Sequence, residues 1–340
     1  MPKKSSQPIK IAINGFGRIG RAAFKIALNN PKFKVVAVND LTDNITLAHL
    51  LKYDSVYGVY GHEIKSDDKN IYIDGAAYPS FSLKELNQLP WQNLKVDVVL
   101  ECTGKFVKDG EAEGHLKSGA KKVIISAPVK EKSKTPTYLI GVNEKKYKGE
   151  KIISNASCTT NCIAPVTKVI NDSFGIKKAF LNTIHSYTAD QNLVDGPHKD
   201  LRRARSAAEN IIPTTTGAAI AVTEVLPELK DKFDGVALRV PTICGSISDI
   251  TYVLKKKTNV EAVNKALKKS ADSTELKNIL TVSDEPLVST DIIGNPASVI
   301  IDLKLTMMIG DDYLKILAWY DNEWGYSCRL VEMVEVVMKK

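Results

Sequence analysis

Cysteine is scarce and odd in number, with five in 340 residues, so the chain does not carry a disulfide framework. Histidine is equally scarce: His49, His62, His115, His185 and His198 are all there are. The one close cysteine pair has no second Cys/His pair at finger-like spacing, so no metal site is expected. Long apolar runs are missing. None approaches the ~18 residues of a membrane span, so no membrane partner is expected. The basic N-terminus, MPKKSSQPIKIAING, lacks the apolar stretch of a secretory signal. The expected compartment is the cytoplasm, where thiols stay reduced. Acidic residues number 39 against 47 Lys and Arg, for a formal charge of +8. That balance favours anionic partners. The lysines are scattered in pairs and one triplet, however, and no basic run carries interleaved aromatics. Nucleic acid is therefore not expected as a primary partner. Internal repeats and low-complexity tracts are absent too.

What is present is ordinary globular material, 44% hydrophobic and 25% charged. The length fits about two domains at roughly 150 residues each. The first third alternates apolar runs (IKIAING, FKVVAVND, VDVVLECTG, KKVIISAP) with helix-like spacing, as in RIGRAAFKIALNN. Asp43 is placed to cap a helix through Leu51. Strands alternating with helices imply βαβ units and a parallel sheet. After about residue 155 longer strand candidates follow one another: KKAFLNTIHSY, GVALRVP, SDITYVLKK, SVIIDLKLTMMI and YLKILAWYD. They predict a largely antiparallel sheet with helices over Cys158 to Phe174, Gly217 to Leu226 and Val260 to Ser270. The polar, Arg-rich stretch from Thr188 to Asn210 shows no period. A loop that long tends to be functional.

NGFGRIGR places Gly15, Gly17 and Gly20 directly after a strand and at the start of a helix. The first glycine suits a tight turn, the second a close approach to a pyrophosphate, and the third close helix–strand packing. The helix N-terminus then offers free N–H groups to the anion. Asp40 follows at the end of the second strand. A carboxylate there bonds ribose hydroxyls and repels a 2′-phosphate, which favours NAD over NADP.

SNASCTTNCIAP, from Ser154 to Pro165, holds two cysteines four residues apart. Ser157 or Asn155 can cap a helix starting near Cys158, and Gly175 suits its end. A first-turn cysteine gains from the helix dipole, which favours its thiolate. Cys162 lies one turn further on, pointing in nearly the same direction, so the two do not readily form a disulfide. Cys162 reads best as a small buried residue. Pro165 should bend the helix or leave a carbonyl unpaired.

A thiol nucleophile needs a base. His185 ends a strand-like run and can reach a helix N-terminus, although a histidine merely satisfied at a strand end fits the same residues. Thr159, Thr188, Thr216 and Gly217 offer hydroxyls and N–H groups to phosphate. Arg239 stands in an otherwise apolar strand, which calls for a structural ion partner or an anionic ligand.

Together INGFGRIGR, VAVND, ECTG, ISAP, SNASCTTNC, HSYT, HKDLRRAR, PTTTGAA, LRVP and WYDNEWGYS resemble, in order, the phosphorylating, glycolytic glyceraldehyde-3-phosphate dehydrogenases. The resemblance covers the chain after its first eight residues. It implies an α/β Rossmann dinucleotide-binding domain over 1–157, completed by a C-terminal helix at about 321–340. An α+β catalytic domain over 158–320 carries a largely antiparallel sheet and an S-shaped loop at 188–210. Cys158 is implied as the nucleophile that forms a hemithioacetal and then a thioester, and His185 as its base. Ser157, Thr159, Thr216 and Gly217 match the site of the attacking inorganic phosphate. Thr188 and Arg239 match the site of the phosphate of glyceraldehyde 3-phosphate, and Arg203 matches a further phosphate contact. For NAD, the glycine turn with Phe16, Arg18 and Ile19, together with Asp40, Thr103, Gly104, Ser126 and Asn322, match the family's contacts. The S-shaped loop implies a homotetramer. The eight-residue N-terminal extension goes beyond the family core and reads as a disordered tail. Cys244 is given no role. The same resemblance admits an erythrose-4-phosphate dehydrogenase, which lets water attack the thioester, or a redox-sensing or RNA-binding scaffold without catalysis.

Overall fold

The computed structural model describes residues 7–130 and 133–339. Most of the N-terminal extension read as a tail lies outside the described residues. The chain divides into two compact units. One comprises residues 1–137, 146–155 and 330–340, the other 138–145 and 156–329. The division falls inside the C-terminal helix Trp324–Met338, and 138–145 groups with the second unit.

The first unit is built on an eight-stranded sheet. In spatial order its strands are Ile152–Ser154, Lys122–Ile125, Val98–Glu101, Ile9–Asn14, Phe33–Asn39, Ala76–Phe81, Asn70–Ile73 and Ile64–Ser66. The first six are parallel. The last two turn back antiparallel, an edge the alternating pattern does not predict. Ile11, Ile13, Val98, Val99 and Leu100 are wholly buried, as expected of strands covered on both faces. The helix Arg18–Leu28 packs Ala22, Ala23, Phe24 and Ala27 inward. Ile9–Asn14 lies between Val98–Glu101 and Phe33–Asn39, so the strand order reverses there. In such sheets ligands bind outside the carboxyl ends of the strands at that point. Asp43 caps the next helix, Asn44–Lys52, by accepting from Thr46 N.

The second unit has its own eight-stranded sheet. It runs Ile212–Thr215, Phe233–Val240, Ile176–Ser186, Ser246–Leu254, Tyr313–Tyr320, Val299–Asp302 and Leu280–Ser283, with Met307–Ile309 beside Tyr313–Tyr320. Its pairings are antiparallel apart from two. Ile176–Ser186 runs parallel to Phe233–Val240, and Leu280–Ser283 to Val299–Asp302. Ser246–Leu254 alternates strictly between buried and half-buried residues, so one sheet face is sealed. Helices Cys158–Phe174, Ala218–Val225 and Val260–Ala271 contribute Ile163, Val166, Ile170, Val222, Val263 and Leu267 to the core with Ile250, Tyr252 and Leu254.

Candidate functional site

In the second unit a buried alanine, Ala156, adopts a left-handed backbone (φ 52°) just before the Cys158 helix. Non-glycine residues held there typically cost of order 1–3 kcal/mol and cluster at functional sites. Ser157 then caps the helix, its Oγ accepting from Thr160 N at 3.1 Å. Cys158 is thereby set in the first turn, half-buried. The helix continues through Pro165 to Phe174; proline lacks the N–H that would otherwise reach the Asn161 carbonyl.

His185 is the penultimate residue of its strand. Its Nε2 lies 3.4 Å from Cys158 Sγ, and its Nδ1 is 2.6 Å from the Ser186 carbonyl oxygen. A carbonyl only accepts, so Nδ1 carries the proton and Nε2 turns a lone pair toward the thiol. The parallel pairing puts Arg239 directly beside His185. Arg239 Nη1 donates to the Ser186 carbonyl at 3.1 Å and to Thr188 Oγ1 at 2.9 Å. Its 3.2 Å approach to His185 Nδ1 joins two donors and is not a hydrogen bond.

Burial, then the Arg239 charge, hold the His185 imidazole down to about 3, so it is neutral and ready to accept. Burial pushes the Cys158 thiol above its ordinary range, while Arg239 and hydrogen bonding from Thr159 pull it back. Desolvation is the largest of these influences, and the base that can take the thiol's proton stands 3.4 Å away. Arg239 Nε is buried without a protein partner among the described residues. A guanidinium left with a free buried donor suits an anion.

The other predicted phosphate residues lie in the same unit. Thr159 Oγ1 stands 4.0 Å from Cys158 Sγ and 2.9 Å from the Tyr320 hydroxyl. Thr188 also donates to Asp190. Arg203 is tied within the long loop and to the neighbouring strand. It reaches Asp190 at 2.6 Å, Thr214 Oγ1 at 2.9 Å and the Thr215 carbonyl at 3.2 Å. Thr216 Oγ1 accepts from Ala218 N at 3.1 Å. Gly217 is exposed at the mouth of its helix, with open space where a Cβ would stand. Asn322 is buried, its Oδ1 accepting from Ser246 Oγ at 2.8 Å and Gly245 N at 3.2 Å.

Cys162 is wholly buried, with Sγ 3.8 Å from the Ala318 carbonyl and 4.0 Å from Ser248 Oγ. All five cysteines are free. Among the described residues no cluster of three or more His, Cys, Asp or Glu could hold a metal.

In the first unit a cavity of about 490 Å³ is lined by Gly15, Gly17, Asp40 and Thr103, among others. Gly15 has φ +89°, and a Cβ there would meet Thr103 N at 2.7 Å. A Cβ on Gly20 would meet the Gly15 carbonyl at 2.0 Å. Gly17 opens the helix with no side-chain cap, leaving its first N–H groups available. Phe16 is buried and donates its N–H to Asp40 Oδ2 at 2.6 Å; Asp40 Oδ1 accepts from Thr42 N at 3.0 Å. Arg18 and Ile19 occupy the first helical turn. The Arg18 guanidinium, however, pairs with Asp54 at 2.8 Å and covers the Tyr57 ring, so its backbone N–H is what faces an anion. Gly104 has φ +69°, and Ser126 follows the strand Lys122–Ile125. The turn, the uncapped helix end and the carboxylate fit a dinucleotide.

Sequence reasoning passed over Tyr320, whose hydroxyl joins Thr159 and Thr183 at 2.9 Å each, and Asp190, which holds Arg203 and Thr188. A tyrosine closing the apolar run LKILAWY was the available signal for the first. A buried phenol needs a polar partner.

Residues 9–109 match the family described as glyceraldehyde 3-phosphate dehydrogenase, NAD binding domain, and 157–322 match its C-terminal domain. The chain is 52% identical over 334 residues to glyceraldehyde-3-phosphate dehydrogenase of Geobacillus stearothermophilus, covering 98% of this chain and 99% of that one. It is 52% identical over 340 residues to the enzyme of that name from Mycolicibacterium smegmatis, at 97% and 99% coverage. To glyceraldehyde-3-phosphate dehydrogenase 2 of Bacillus subtilis it is 49% identical over 331 residues, at 97% and 96%.

Proposed function

The chain belongs to the glyceraldehyde-3-phosphate dehydrogenase family, and from that premise we propose that it oxidises and phosphorylates D-glyceraldehyde 3-phosphate to 1,3-bisphosphoglycerate with NAD and inorganic phosphate. The observation that carries this reading is Cys158 Sγ at 3.4 Å from an unprotonated His185 Nε2, beside an arginine with a free buried donor.

Cys158 Sγ attacks the aldehyde carbon as its proton passes to His185 Nε2. That proton then moves to the new alkoxide, giving a hemithioacetal and freeing the base. NAD, when bound, accepts the hydride lost as the hemithioacetal becomes a thioester. His185 removes the hydroxyl proton in that step, so no charge accumulates on the oxygen. A phosphate oxygen next attacks the thioester carbon, the C–S bond breaks, and the departing sulfur recovers its proton from His185. Arg239 and Thr188 bind the substrate's phosphate. Ser157, Thr216 and Gly217 bind the attacking one. Thr159 joins them through its backbone N–H, its hydroxyl being engaged by Tyr320. Two anions beside one developing thiolate require such a concentration of donors.

Assembly as a homotetramer and a cytoplasmic location are part of the proposal. Leu193, Val194 and Leu201 on the long loop, and Ile211 just beyond it, are each at least two-thirds exposed. Large apolar side chains exposed in this way favour burial against a second copy. No described helix is long and apolar enough to cross a membrane.

Trapping tests the chemistry. Protein mixed with stoichiometric substrate and NAD, without phosphate, is expected to carry the acyl group on the Cys158 peptide by mass spectrometry. Acylation at Cys162 instead, or none, contradicts the reading.

A further inference from the structure

Beneath the first unit's cavity lies a chain of buried hydrogen bonds that the mechanism does not use. Asn14 is register partner to Asn39 on one side and Glu101 on the other, so three adjacent strands end in polar residues at one level. Glu101 Oε2 accepts from Asn14 Nδ2 at 2.6 Å and from His115 Nε2 at 2.9 Å. Its Oε1 accepts from Thr103 N at 2.9 Å and from the Thr103 hydroxyl. Asn14 Oδ1 accepts from Asn39 Nδ2 at 2.7 Å. Asn39 in turn clasps Leu83, donating to its carbonyl and accepting from its N–H, both at 2.9 Å. At the other end Trp91 Nε1 donates to His115 Nδ1 at 3.0 Å. The side chains of Glu101 and His115 are wholly buried.

Apart from that of the Thr103 hydroxyl, which can also accept, the direction of every bond in this chain is locked. An indole N–H can only donate, so His115 must carry its proton on Nε2 and point it at Glu101. The backbone of Leu83 fixes which end of the Asn39 amide is which. Asn39 fixes Asn14, whose N–H must also point at Glu101. Position 101 therefore faces donors on both oxygens. Only an acceptor-only side chain fits, and that is a carboxylate. The tie matters because Asn14, Asn39, Leu83 and Thr103 all line the cavity.

We infer that Glu101 is a positioning residue for dinucleotide binding, fixing four segments of the cavity wall before the ligand arrives. Preorganisation of this kind removes an ordering cost from binding. The inference rests on the reading of this cavity as the NAD site.

The test is calorimetric titration of NAD into purified wild-type protein and three variants. Glu101→Gln turns an amide N–H₂ against donors that cannot reverse. It is expected to raise Kd for NAD about tenfold or more. Meanwhile kcat at saturating NAD, KM for the aldehyde and the rate of Cys158 alkylation stay within about threefold. Trp91→Phe removes the lock on His115 and is expected to weaken NAD by about threefold. In the Trp91→Phe background His115 can present an acceptor, so Glu101→Gln is expected to cost at least about threefold less than in the wild type. A folded Glu101→Gln with wild-type Kd, or an equal cost in both backgrounds, overturns the inference. If Glu101→Gln does not fold, Trp91→Phe decides, and an unchanged Kd in that variant overturns it. A wild-type protein that fails to bind NAD overturns instead the reading of the cavity.

Discussion

His185 Nε2 stands 3.4 Å from Cys158 Sγ, with the imidazole's other nitrogen tied to the carbonyl of the following residue. A strand end thus supplies a base of fixed tautomer to a thiol at a helix start. The two cysteines of that helix should behave very differently. Cys158→Ser is expected to lower turnover at least about a thousandfold, since a hydroxyl is a far weaker nucleophile at neutral pH. Cys162→Ser should keep most activity and cost about 1 kcal/mol or less in denaturant unfolding, because Ser248 and the Ala318 carbonyl are near enough to accept a hydroxyl. Equal losses of activity would contradict the assignment.

His185→Asn is expected to lower kcat by about 10²–10⁴, the usual worth of a positioned base. It should also alter the acid limb of stability. The folded protein keeps this imidazole neutral down to about 3, whereas its ordinary value is 6.5. As pH falls through that window the unfolded chain gains a proton the folded one refuses, so wild-type stability drops. Unfolding measured at pH 7 and pH 4.5 should show a smaller drop for His185→Asn than for wild type.

Arg239 works on the thiol through its charge. Removing the cation withdraws a contribution that favours the thiolate. In Arg239→Gln the pH dependence of Cys158 alkylation should therefore move upward, and KM for the aldehyde should rise about tenfold or more from the lost phosphate contact. An unchanged alkylation profile would show that the charge does not reach the sulfur.

Asp40 Oδ2 accepts from Phe16 N, so its carboxylate is held at the turn. Asp40→Ala is expected to weaken NAD and to raise the ratio of NADP to NAD activity about tenfold, as repulsion of a 2′-phosphate is lost. Wild-type protein that uses both cofactors equally would contradict the role given to Asp40.

Much of this was legible locally. The glycine turn, the Ser157 cap, the Gly175 stop and the Asp43 cap are signals within a few residues of the structure they specify, and the helix Cys158–Phe174 runs between its predicted ends. What escaped depends on pairing across long stretches of chain. Nothing near Arg239 reveals that its strand lies parallel to that of His185, which makes them neighbours. Tyr320 meets Thr159 and Thr183 only because three distant segments pack together. The antiparallel edge from Ile64 to Phe81 consists of strands of three to six residues, too short for a period to stand out. For Cys158 the helix end is visible in sequence, but the burial of its thiol is not.

The account turns on phosphate rather than water resolving a Cys158 thioester. NADH formation should be followed with glyceraldehyde 3-phosphate and NAD, with and without inorganic phosphate. Sustained turnover is expected only when phosphate or arsenate is present, with no more than about one NADH per subunit otherwise. Equal sustained rates without either anion, or no NADH under any condition, would contradict it.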